Sequence, residues 1–546
     1  MTAHEKLKLA VQNHQAGRLA DAEALYRQVL AEEPGNIEAV TNLGMTLSQR
    51  GARDQAVVAF AQAVSLRPDL GEAHSNLGNA LCEAGRWDAA LPVLRRAVEL
   101  RPELAAAHAN LGNALYRSGN LDESTARYQR ALELAPTSVR ILNNLAIVLR
   151  ERQRPDESIA CCRKALQLQP NDPESYKNFG NVLLAKGELD QAESAYRQAL
   201  ALRPNDPDIL ANLAHVSFFK GDLDKAAAAY REVLAQQSNH PQAHWSLALV
   251  LLTQGNYEEG WKHYEWRWRV QELRQRERTD APRWDGGELH GKTILIYNEQ
   301  GFGDTIQFLR YLPQVAGRGG KIVLACQKEL LSLLQTFPHV QLCLPADKPA
   351  KEIDLCCPLQ SLPGIFATQS DNIPAQVPYI TAPPDKTAAW RQRLGSETRK
   401  TIGLCWSGRP THPNDRNRSL VLSTLAPLGQ LPGLRFISLQ TGEAARQTSG
   451  APMELTNWTA ELKDFADTAG LIENLDLVIS VDTATAHLAG AMGKPTWLLL
   501  PAAPDWRWML NRTDSPWYPT VRLFRQEKRG DWNAPVGRIV EALRSV

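Results

Sequence analysis

At 546 residues, the chain is too long for one hydrophobic core, and three or four domains are expected. Its 61 lysines and arginines offset 60 aspartates and glutamates to a formal net charge of +1, which excludes a global basic field that would attract nucleic acid. No apolar run reaches about 18 residues and the N-terminus has no signal-peptide core, so no membrane span is expected. The eight scattered cysteines, none in a CxxC pair, predict buried thiols in a soluble, cytoplasmic protein.

The first half of the chain repeats with a period of 34 residues. Three residue types keep one register over six or more copies, which leaves little room for chance. They are the glycines Gly17, Gly51, Gly85, Gly119, Gly187, Gly221 and Gly255, the prolines Pro34, Pro68, Pro102, Pro136, Pro170 and Pro204, and the asparagines Asn42, Asn76, Asn110, Asn144, Asn178 and Asn212.

One unit illustrates why this period indicates a pair of helices. Gly78 is small where two helices must approach closely, and Gly85 ends the first helix. Pro102 ends the second helix because proline lacks the amide donor that would continue it. These residues resemble the tetratricopeptide family, which implies a right-handed superhelix of about eight units over residues 1–274. In the fifth unit, Gln153 stands where the turn glycine is expected.

The six asparagines of the repeat lie on the first helix of each unit, which lines the concave face in the tetratricopeptide family. They resemble the asparagine ladder of the O-GlcNAc transferase array, which grips the backbone of extended protein segments. An amide offers both a donor and an acceptor, which suits the binding of a protein partner with little regard to sequence. The alternative is that these amides cap turns or form bonds between adjacent repeats. In either case the array binds or assembles and holds no catalytic constellation.

Residues 275–290 are predicted to be a junction, and the residues around them are rich in aromatic rings and arginines. Such a mixture also occurs in single-stranded nucleic-acid sites, but interleaved glutamates cancel the positive charge here. We therefore predict an apolar seam that joins the last repeat to the next domain, and no nucleic-acid partner. The residues are Tyr257, Trp261, Tyr264, Trp266, Trp268 and Trp284 with Arg267, Arg269, Arg274, Arg276 and Arg278.

After Gly291, short apolar runs alternate with helical patterns, which predicts parallel sheets covered on both faces. The pattern restarts at Thr401, so we expect two Rossmann-like lobes, residues 291–385 and 386–546, joined by a proline-rich hinge over 370–395. Ligands bind at the strand C-terminal edges of such sheets, which here would face a cleft. The predicted strands are Thr293–Tyr297, Lys321–Cys326, Val340–Leu344, Ile353–Cys356, Ile402–Trp406, Leu434–Leu439, Leu477–Val481 and Thr496–Leu500.

Three loops of this half carry candidate site residues. Gly301 and Gly303 let the backbone turn off the first strand, and Asp304 follows at a helix start, where it serves either as a cleft residue or as a plain helix cap. A basic loop with Arg416 and Arg418 follows the first strand of the second lobe. A further loop opens a helix whose free N–H groups suit a diphosphate; it holds Asp482, Thr483, Ala484 and, one turn on, His487.

In that order, a glycine loop ending in aspartate, a Trp-Ser-Gly strand exit and the segment from Ser480 to Ala489 resemble the heptosyltransferase-like glycosyltransferases of family 9. The resemblance covers roughly residues 291–546 and implies the two-lobed GT-B fold, inversion at the anomeric carbon and no metal or other cofactor. It implies that Asp304 is the base and that the Asp482–His487 segment binds the donor nucleotide diphosphate.

Two further expectations come from the same resemblance. The family's phosphate-binding lysine is absent here, and Arg416 and Arg418 are the replacements that its loop offers. Gln440 and Glu443 follow the next strand, where the family places its contacts to the ribose and base. A closing helix over 536–543 is expected to cross back to the first lobe.

The sequence therefore predicts a tetratricopeptide array fused to a nucleotide-sugar-dependent glycosyltransferase with a protein or glycan acceptor. The first alternative is a non-catalytic repeat scaffold whose GT-B half binds a nucleotide or packs against a partner. The second is a nucleotide-dependent enzyme of another class, such as an epimerase or oxidoreductase. Against that alternative, the glycine loop lacks the third glycine of the dinucleotide fingerprint.

Overall fold

A computed structural model describes residues 1–270, 279–396, 398–412 and 414–545 of the chain. Arg274, Arg276 and Arg278 of the predicted seam lie outside the described residues, as does the start of the predicted junction. The chain divides into two compact units, Met1–Val216 and Ser217–Val546.

The first unit is an all-α, tetratricopeptide-like superhelix in which successive helices pack as antiparallel pairs. Tertiary packing stabilises these helices, because each is only 13 or 14 residues long. They are α1 (Ala3–Gln15), α2 (Leu19–Glu32), α3 (Ile37–Gln49), α4 (Arg53–Leu66), α5 (Gly71–Glu83), α6 (Trp87–Leu100), α7 (Ala105–Arg117), α8 (Leu121–Leu134), α9 (Val139–Glu151), α10 (Pro155–Leu168), α11 (Pro173–Lys186), α12 (Leu189–Leu202) and α13 (Pro207–Phe219), whose end enters the second unit.

The predicted close approach of paired helices is confirmed. A Cβ atom at Gly78 would lie 2.3 Å from Leu94 on the second helix of its pair, so only glycine fits there. The turn glycines all have positive φ, as a helix-ending glycine requires. Gln153 adopts φ 59° in the fifth unit, so a non-glycine residue bears the left-handed conformation at that turn.

The second unit begins with the last helices of the repeat region and continues into two sheets with their covering helices. The helices that precede the sheets are α14 (Leu223–Gln236), α15 (Pro241–Gln254) and α16 (Tyr257–Tyr264). The first sheet region contains β1 (Thr293–Tyr297), α17 (Phe302–Phe308), α18 (Leu312–Ala316), β2 (Lys321–Cys326), α19 (Leu331–Leu334), β3 (Val340–Pro345), β4 (Leu355–Pro358) and α20 (Leu362–Ile365). The second contains α21 (Pro384–Leu394), β5 (Lys400–Cys405), α22 (Asp415–Arg418), β6 (Leu434–Ser438), β7 (Leu455–Asn457), α23 (Phe465–Glu473), β8 (Leu477–Val481), α24 (Ala484–Ala491), β9 (Thr496–Leu500), β10 (Val521–Arg525) and α25 (Asn533–Arg544).

Both sheets are parallel, as the apolar strands predict. The strand order is β3-β2-β1-β4 in the first sheet and β10-β9-β8-β5-β6-β7 in the second. The order reverses between β1 and β4 in the first sheet and between β5 and β8 in the second. At such a reversal the loops that leave two neighbouring strands diverge and open a crevice at the strand C-terminal edge. The loops that carry Asp304 and Asp482 leave the sheets at these two points.

Some sequence predictions differ from the structure. The end of the predicted hinge is the helix α21, which packs on α23 and so belongs to the second sheet region. The fourth predicted strand begins two residues later, at Leu355. The terminal helix α25 does not pack on the first sheet; its apolar residues Val536, Ile539, Val540 and Leu543 lie in the core of the second sheet. The reason is its amphipathic face, which matches the apolar side of β9 and β10.

The aromatic residues of α16 are buried between helices and sheets. The Trp261 ring lies edge-on to Trp506 with 5.4 Å between centroids, and its indole N–H donates to the Thr368 carbonyl at 3.0 Å. The Tyr257 ring stacks on Trp261 at 5.7 Å and meets Trp517 at 6.2 Å. An apolar seam of this kind fixes the position of the last repeat relative to the segment around Trp506.

Candidate active site at the facing sheet edges

The glycine loop after β1 positions Asp304 in the first turn of α17. One carboxylate oxygen of Asp304 accepts the amide hydrogen of Gly301 at 2.9 Å, which closes the loop on itself. Thr305 donates to the side-chain oxygen of Gln327 at 2.9 Å, and the Gln327 amide donates to the Gln300 carbonyl at 2.8 Å. These bonds hold the loop against the end of β2 and fix the direction of the Asp304 carboxylate.

The same loop is braced by a buried ion pair. Arg267, which follows α16, makes two parallel hydrogen bonds to Glu299 at 2.9 and 2.8 Å. Arg267 is 2% exposed and Glu299 is 6% exposed. Burial raises the pKa of Glu299, and the guanidinium charge opposes that rise. Because a bidentate pair has one geometry, it fixes the residue that precedes the glycine turn.

The second carboxylate oxygen of Asp304 accepts a hydrogen bond from Arg507, a residue of the segment after β9. Arg507 also donates to Asp505 at 2.8 Å and to the side-chain oxygen of Gln307. Burial alone would lower the pKa of Arg507, but the charges of Asp505 and Asp304 raise it above its usual value. Asp304 is 18% exposed at its side chain, so this ion pair lies at the solvent edge of the protein interior.

The loop after β8 brings a second carboxylate to the edge of the second sheet. Asp482 lies 3.6 Å from the Nε2 atom of His487. Burial opposes the ionisation of Asp482, but the charges of His487, Arg418 and Arg507 outweigh it and lower its pKa to about 2. Thr483 is the N-cap of α24, and its hydroxyl bonds Ser480 at 3.0 Å rather than the helix. The first amide groups of α24 are therefore left without a side-chain cap, and Ala484 is the first helical residue.

The two sheet edges meet through Gly303 and His487. A Cβ atom at Gly303 would lie 2.7 Å from the His487 ring, so α17 packs directly on α24. The other ring nitrogen of His487 lies 2.9 Å from the Tyr518 hydroxyl, and Trp508 lies beside the ring at 5.3 Å. Asp304 and Asp482 are thus separated by the His487 contact, each with part of its side chain exposed. This arrangement combines a carboxylate acceptor of protons with a helix start that attracts anions.

The remaining predicted donor-site residues have different surroundings. Arg418 donates to the Asp482 carbonyl at 3.0 Å and to Asp415 at 3.2 Å, so it braces the loop. Arg416 is exposed on the surface of α22. Gln440 is 3% exposed; its oxygen accepts the amide hydrogens of Trp406 and Ser407 at 3.0 and 2.8 Å.

The structure thus uses Gln440 as a brace for the loop after β5. Glu443 is exposed, at the start of a short 3-10 segment.

Three of the predicted ladder asparagines bond to the preceding repeat. Asn110 donates to the Ser75 hydroxyl at 3.2 Å, Asn144 to Asn113 at 3.1 Å and Asn212 to Asn181 at 3.1 Å. Each of these bonds is donated by the side-chain nitrogen of the asparagine, so it leaves the side-chain oxygen as an acceptor for another donor.

The other three asparagines differ. Asn178 is 4% exposed, and its side-chain nitrogen has no acceptor among the described residues. Asn42 and Asn76 are half-buried.

Sequence reasoning placed Arg267 only in the apolar seam, and it missed Arg507 and Gln307. Arg507 contacts Asp304 across 203 residues, and no local motif signals that contact. The one signal was an arginine between two tryptophans directly after a buried strand.

Among the described residues, no group of three or more histidines, cysteines or acids could hold a metal ion. No helix of the described residues has the length and apolar character needed to cross a membrane.

Two family profiles match the helical region of the chain. Residues 2–246 match the profile of the cilia and flagella-associated protein 70 C-terminal domain, and residues 241–260 match a tetratricopeptide repeat profile. Protein FlbA of Caulobacter vibrioides is 31% identical over an alignment of 324 positions, and the match covers 54% of this chain and 53% of FlbA. The chain therefore spans about half the length of that relative. The helical region is a tetratricopeptide-type array, as its period predicts.

Solved structures of repeat proteins also overlap with the chain. The Cut9–Hcn1 hetero-tetramer of the APC/C has 17% identity and a TM-score of 0.40, with 49% of this chain and 53% of that chain covered. A tetratricopeptide repeat protein from Parabacteroides merdae has 19% identity and a TM-score of 0.40, with 46% of this chain and 98% of that chain covered.

Proposed function

We propose that the chain is an inverting, metal-independent glycosyltransferase of the GT-B type that uses a nucleotide-sugar donor. The observation that carries the proposal is the meeting of the two sheet edges, which brings the Asp304 carboxylate and the start of α24 to the two sides of His487. Each lies where the strand order of its sheet reverses. In this proposal, the protein transfers the sugar in the cytoplasm to a protein or glycan acceptor.

In the proposed reaction, Asp304 takes the proton of an acceptor hydroxyl. The hydroxyl oxygen forms a bond to the anomeric carbon of the donor from the face opposite the diphosphate. The bond from that carbon to the diphosphate oxygen breaks, and its electron pair leaves with the nucleoside diphosphate. The backbone amides after Thr483 stabilise the charge on the departing group, and Arg418 holds their loop in place through the Asp482 carbonyl.

The proposed role of the array is to bring a polypeptide acceptor to this site. Asn144 and Asn212 bond to the preceding repeat through their side-chain nitrogens, so these bonds leave their side-chain oxygens as acceptors. Asn178 has a buried donor without an acceptor among the described residues. These groups match the donors and acceptors of an extended backbone. The bonds between repeats align them at regular intervals.

The test is sugar transfer by purified protein to bacterial lysate proteins from a panel of radiolabelled UDP-, GDP-, ADP- and CMP-sugars. Asp304→Asn keeps the acceptor for the Gly301 amide but cannot take a proton at neutral pH. We expect it to lower the transfer rate by about 10²- to 10⁴-fold, the usual contribution of a general base. The control is Asp514→Asn, which changes an exposed aspartate paired with Arg512. Equal rates for Asp304→Asn and wild type would refute the proposed base.

The array is tested separately with the triple variant Asn144→Ala/Asn178→Ala/Asn212→Ala. We expect transfer to protein to be lost while hydrolysis of the donor by water continues, because the catalytic cleft is untouched. The matched control replaces three exposed amides on the second helices, Gln129, Gln167 and Gln198. Undiminished transfer to protein by the asparagine variant would exclude the ladder as the site that binds the acceptor.

A second candidate function is a non-catalytic scaffold that binds nucleotides. One observation favours it: both carboxylate oxygens of Asp304 already have partners, Gly301 and Arg507. Neither oxygen is then open to an acceptor hydroxyl. If the protein is a scaffold, we expect nucleotides to raise its thermal stability, with no sugar transfer from, or hydrolysis of, any donor in the panel. Turnover that depends on Asp304 would exclude it.

A further inference from the structure

We propose that Arg507 is a ligand of the donor diphosphate and that its ion pair with Asp304 is exchanged for the diphosphate when the donor binds. This inference rests on the proposed function and deepens it. It assigns the phosphate contact to a residue outside the basic loop, and it makes the base available only after the donor has bound.

The guanidinium of Arg507 has three partners. It is 6% exposed and donates to two carboxylates, Asp304 and Asp505, and to the amide oxygen of Gln307. Each of these acceptors is bonded by a different nitrogen, so loss of Asp304 would leave the positive charge paired with Asp505. Asp505 lies two residues away on the same segment, whereas Asp304 belongs to the other sheet region. The bond to Asp304 is therefore the one that an opening of the cleft would break.

Arg507 is also close to the start of α24. Its neighbour Trp508 lies against the His487 ring, and His487 contacts both Gly303 and Asp482. The positive charge of Arg507 is also one of the causes that lower the pKa of Asp482, the residue directly before Thr483.

Two buried donors beside Arg507 point to an anion at this corner. The side-chain nitrogen of Gln307 and the indole nitrogen of Trp508 have no acceptor among the described residues. Their residues are 0% and 1% exposed. Buried donors of this kind are normally satisfied by the protein, a water molecule or an ion, so both can receive an acceptor that the chain does not supply. A diphosphate supplies several acceptor oxygens at once.

The arginines of the basic loop are less suited to this role. Arg418 is committed to the Asp482 carbonyl and to Asp415, and a Cβ atom at Gly408 would lie 2.6 Å from its guanidinium. It has no room to turn towards a ligand without displacing the loop. Arg507, by contrast, needs only to exchange one carboxylate for a phosphate group, which accepts the same two-pronged geometry.

The exchange has a consequence for the order of binding. While Arg507 holds Asp304, one oxygen of the carboxylate is occupied by the guanidinium and the other by the Gly301 amide. A diphosphate carries more negative charge than one carboxylate and draws the guanidinium away from it. Asp304 then keeps only the Gly301 amide, and its second oxygen is open to the acceptor hydroxyl. The donor therefore binds before the acceptor.

The test is a double-variant cycle measured by isothermal titration calorimetry, with inorganic pyrophosphate as the probe. The variants are Arg507→Gln, Asp304→Asn and the two combined, with Arg507→Lys as the conservative form and Arg512→Gln as the control. Arg512 pairs with Asp514 and does not contact Asp304. Far-UV circular dichroism and thermal unfolding check that each variant folds.

We expect Arg507→Gln to weaken pyrophosphate binding by about tenfold or more, the usual effect of losing a hydrogen bond to a charged group. Arg507→Lys should recover part of that loss and Arg512→Gln should change nothing. Asp304→Asn should tighten binding by about tenfold when Arg507 is present and by less than about threefold in the combined variant. Should Arg507→Gln fail to fold, Arg507→Lys takes its place in the cycle.

Two results separate the inference from the function on which it rests. If Asp304→Asn tightens pyrophosphate binding equally with and without Arg507, its effect is simple charge removal and the exchange is wrong. Unchanged binding by Arg507→Gln also overturns the exchange, and it leaves the donor site at α24 intact. If neither wild type nor any variant binds pyrophosphate, UDP, GDP or ADP, the donor site itself is excluded.

Discussion

The buried pair between Arg267 and Glu299 allows a quantitative test of how the last repeat holds the glycine loop. The guanidinium makes two bonds to Glu299, and the nitrogen that bonds its Oε2 atom also donates to the Ser361 hydroxyl at 2.8 Å. The change Arg267→Met keeps most of the length of the side chain and removes its charge. It leaves the Glu299 carboxylate buried without its cation.

Removing one partner of a buried ion pair costs about 3–5 kcal/mol, because the remaining charge is uncompensated. Both residues are at least nine-tenths buried, so water does not screen the loss. Arg267→Met should therefore lower the free energy of unfolding of the second unit by about 3–5 kcal/mol. The double variant Arg267→Met/Glu299→Met leaves neither charge, and its deficit should be below about 2 kcal/mol.

The deficit should depend on pH with a defined sign. Burial already raises the pKa of Glu299, and loss of Arg267 removes the charge that opposes this rise. A carboxyl with a higher pKa in the folded than in the unfolded state loses stability as pH rises from the unfolded value to the folded one. The deficit of Arg267→Met should thus be largest near neutral pH and shrink towards about pH 4.3, the unfolded value for glutamate.

Urea unfolding followed by tryptophan fluorescence measures the free energy of unfolding of the second unit with little signal from the first. Of the 14 tryptophans, only Trp87 lies in residues 1–216, so the other 13 (14 minus 1) report on residues 217–546. A deficit below about 1 kcal/mol at neutral pH, the range of an exposed pair, would refute the reasoning. So would a deficit that the double variant does not reduce.

Three further predictions concern single residues. Gly303→Ala places a Cβ atom 2.7 Å from the His487 ring and should lower the free energy of unfolding by about 1–3 kcal/mol through overpacking. The control Gly537→Ala has open space around its Cβ position and should cost nothing. Equal urea midpoints for both variants would contradict the packing of α17 on α24. Gln440→Leu leaves the amides of Trp406 and Ser407 without their acceptor and should cost about 1–3 kcal/mol by the same assay; an unchanged midpoint would show that Gln440 is not a brace. Gln153→Gly relieves a left-handed residue and should raise the stability of the first unit by about 0.5–1 kcal/mol, measured by far-UV circular dichroism; a lower midpoint would contradict it.

The parts of the fold that follow from local patterns could be predicted from the sequence. Gly78 marks the helix contact with Leu94 because the space there admits no side chain. Fully apolar runs such as Thr293–Tyr297 predict central strands correctly. The edge strands β7 and β10 were not predicted, since β7 has only three residues and β10 carries the exposed Arg522.

The site could be predicted only in part. Asp304 and Asp482 each follow a predicted strand, so topology brings them to the sheet edges without knowledge of distant contacts. The partner of Asp304 could not be inferred, because Arg507 meets it across 203 residues of chain. Gln440 occupies its predicted position after a strand, but its buried surroundings give it a bracing role that the sequence does not reveal.

The central claim is that a nucleoside diphosphate binds at the start of α24, facing Asp304. The most direct measurement is a crystal structure of the full chain with UDP, GDP or ADP, whichever stabilises it most against heat. We expect diphosphate density at the backbone amides after Thr483, within hydrogen-bond distance of Arg507. Density at any other place, with Arg507 still paired to Asp304, would show that the diphosphate does not bind at α24.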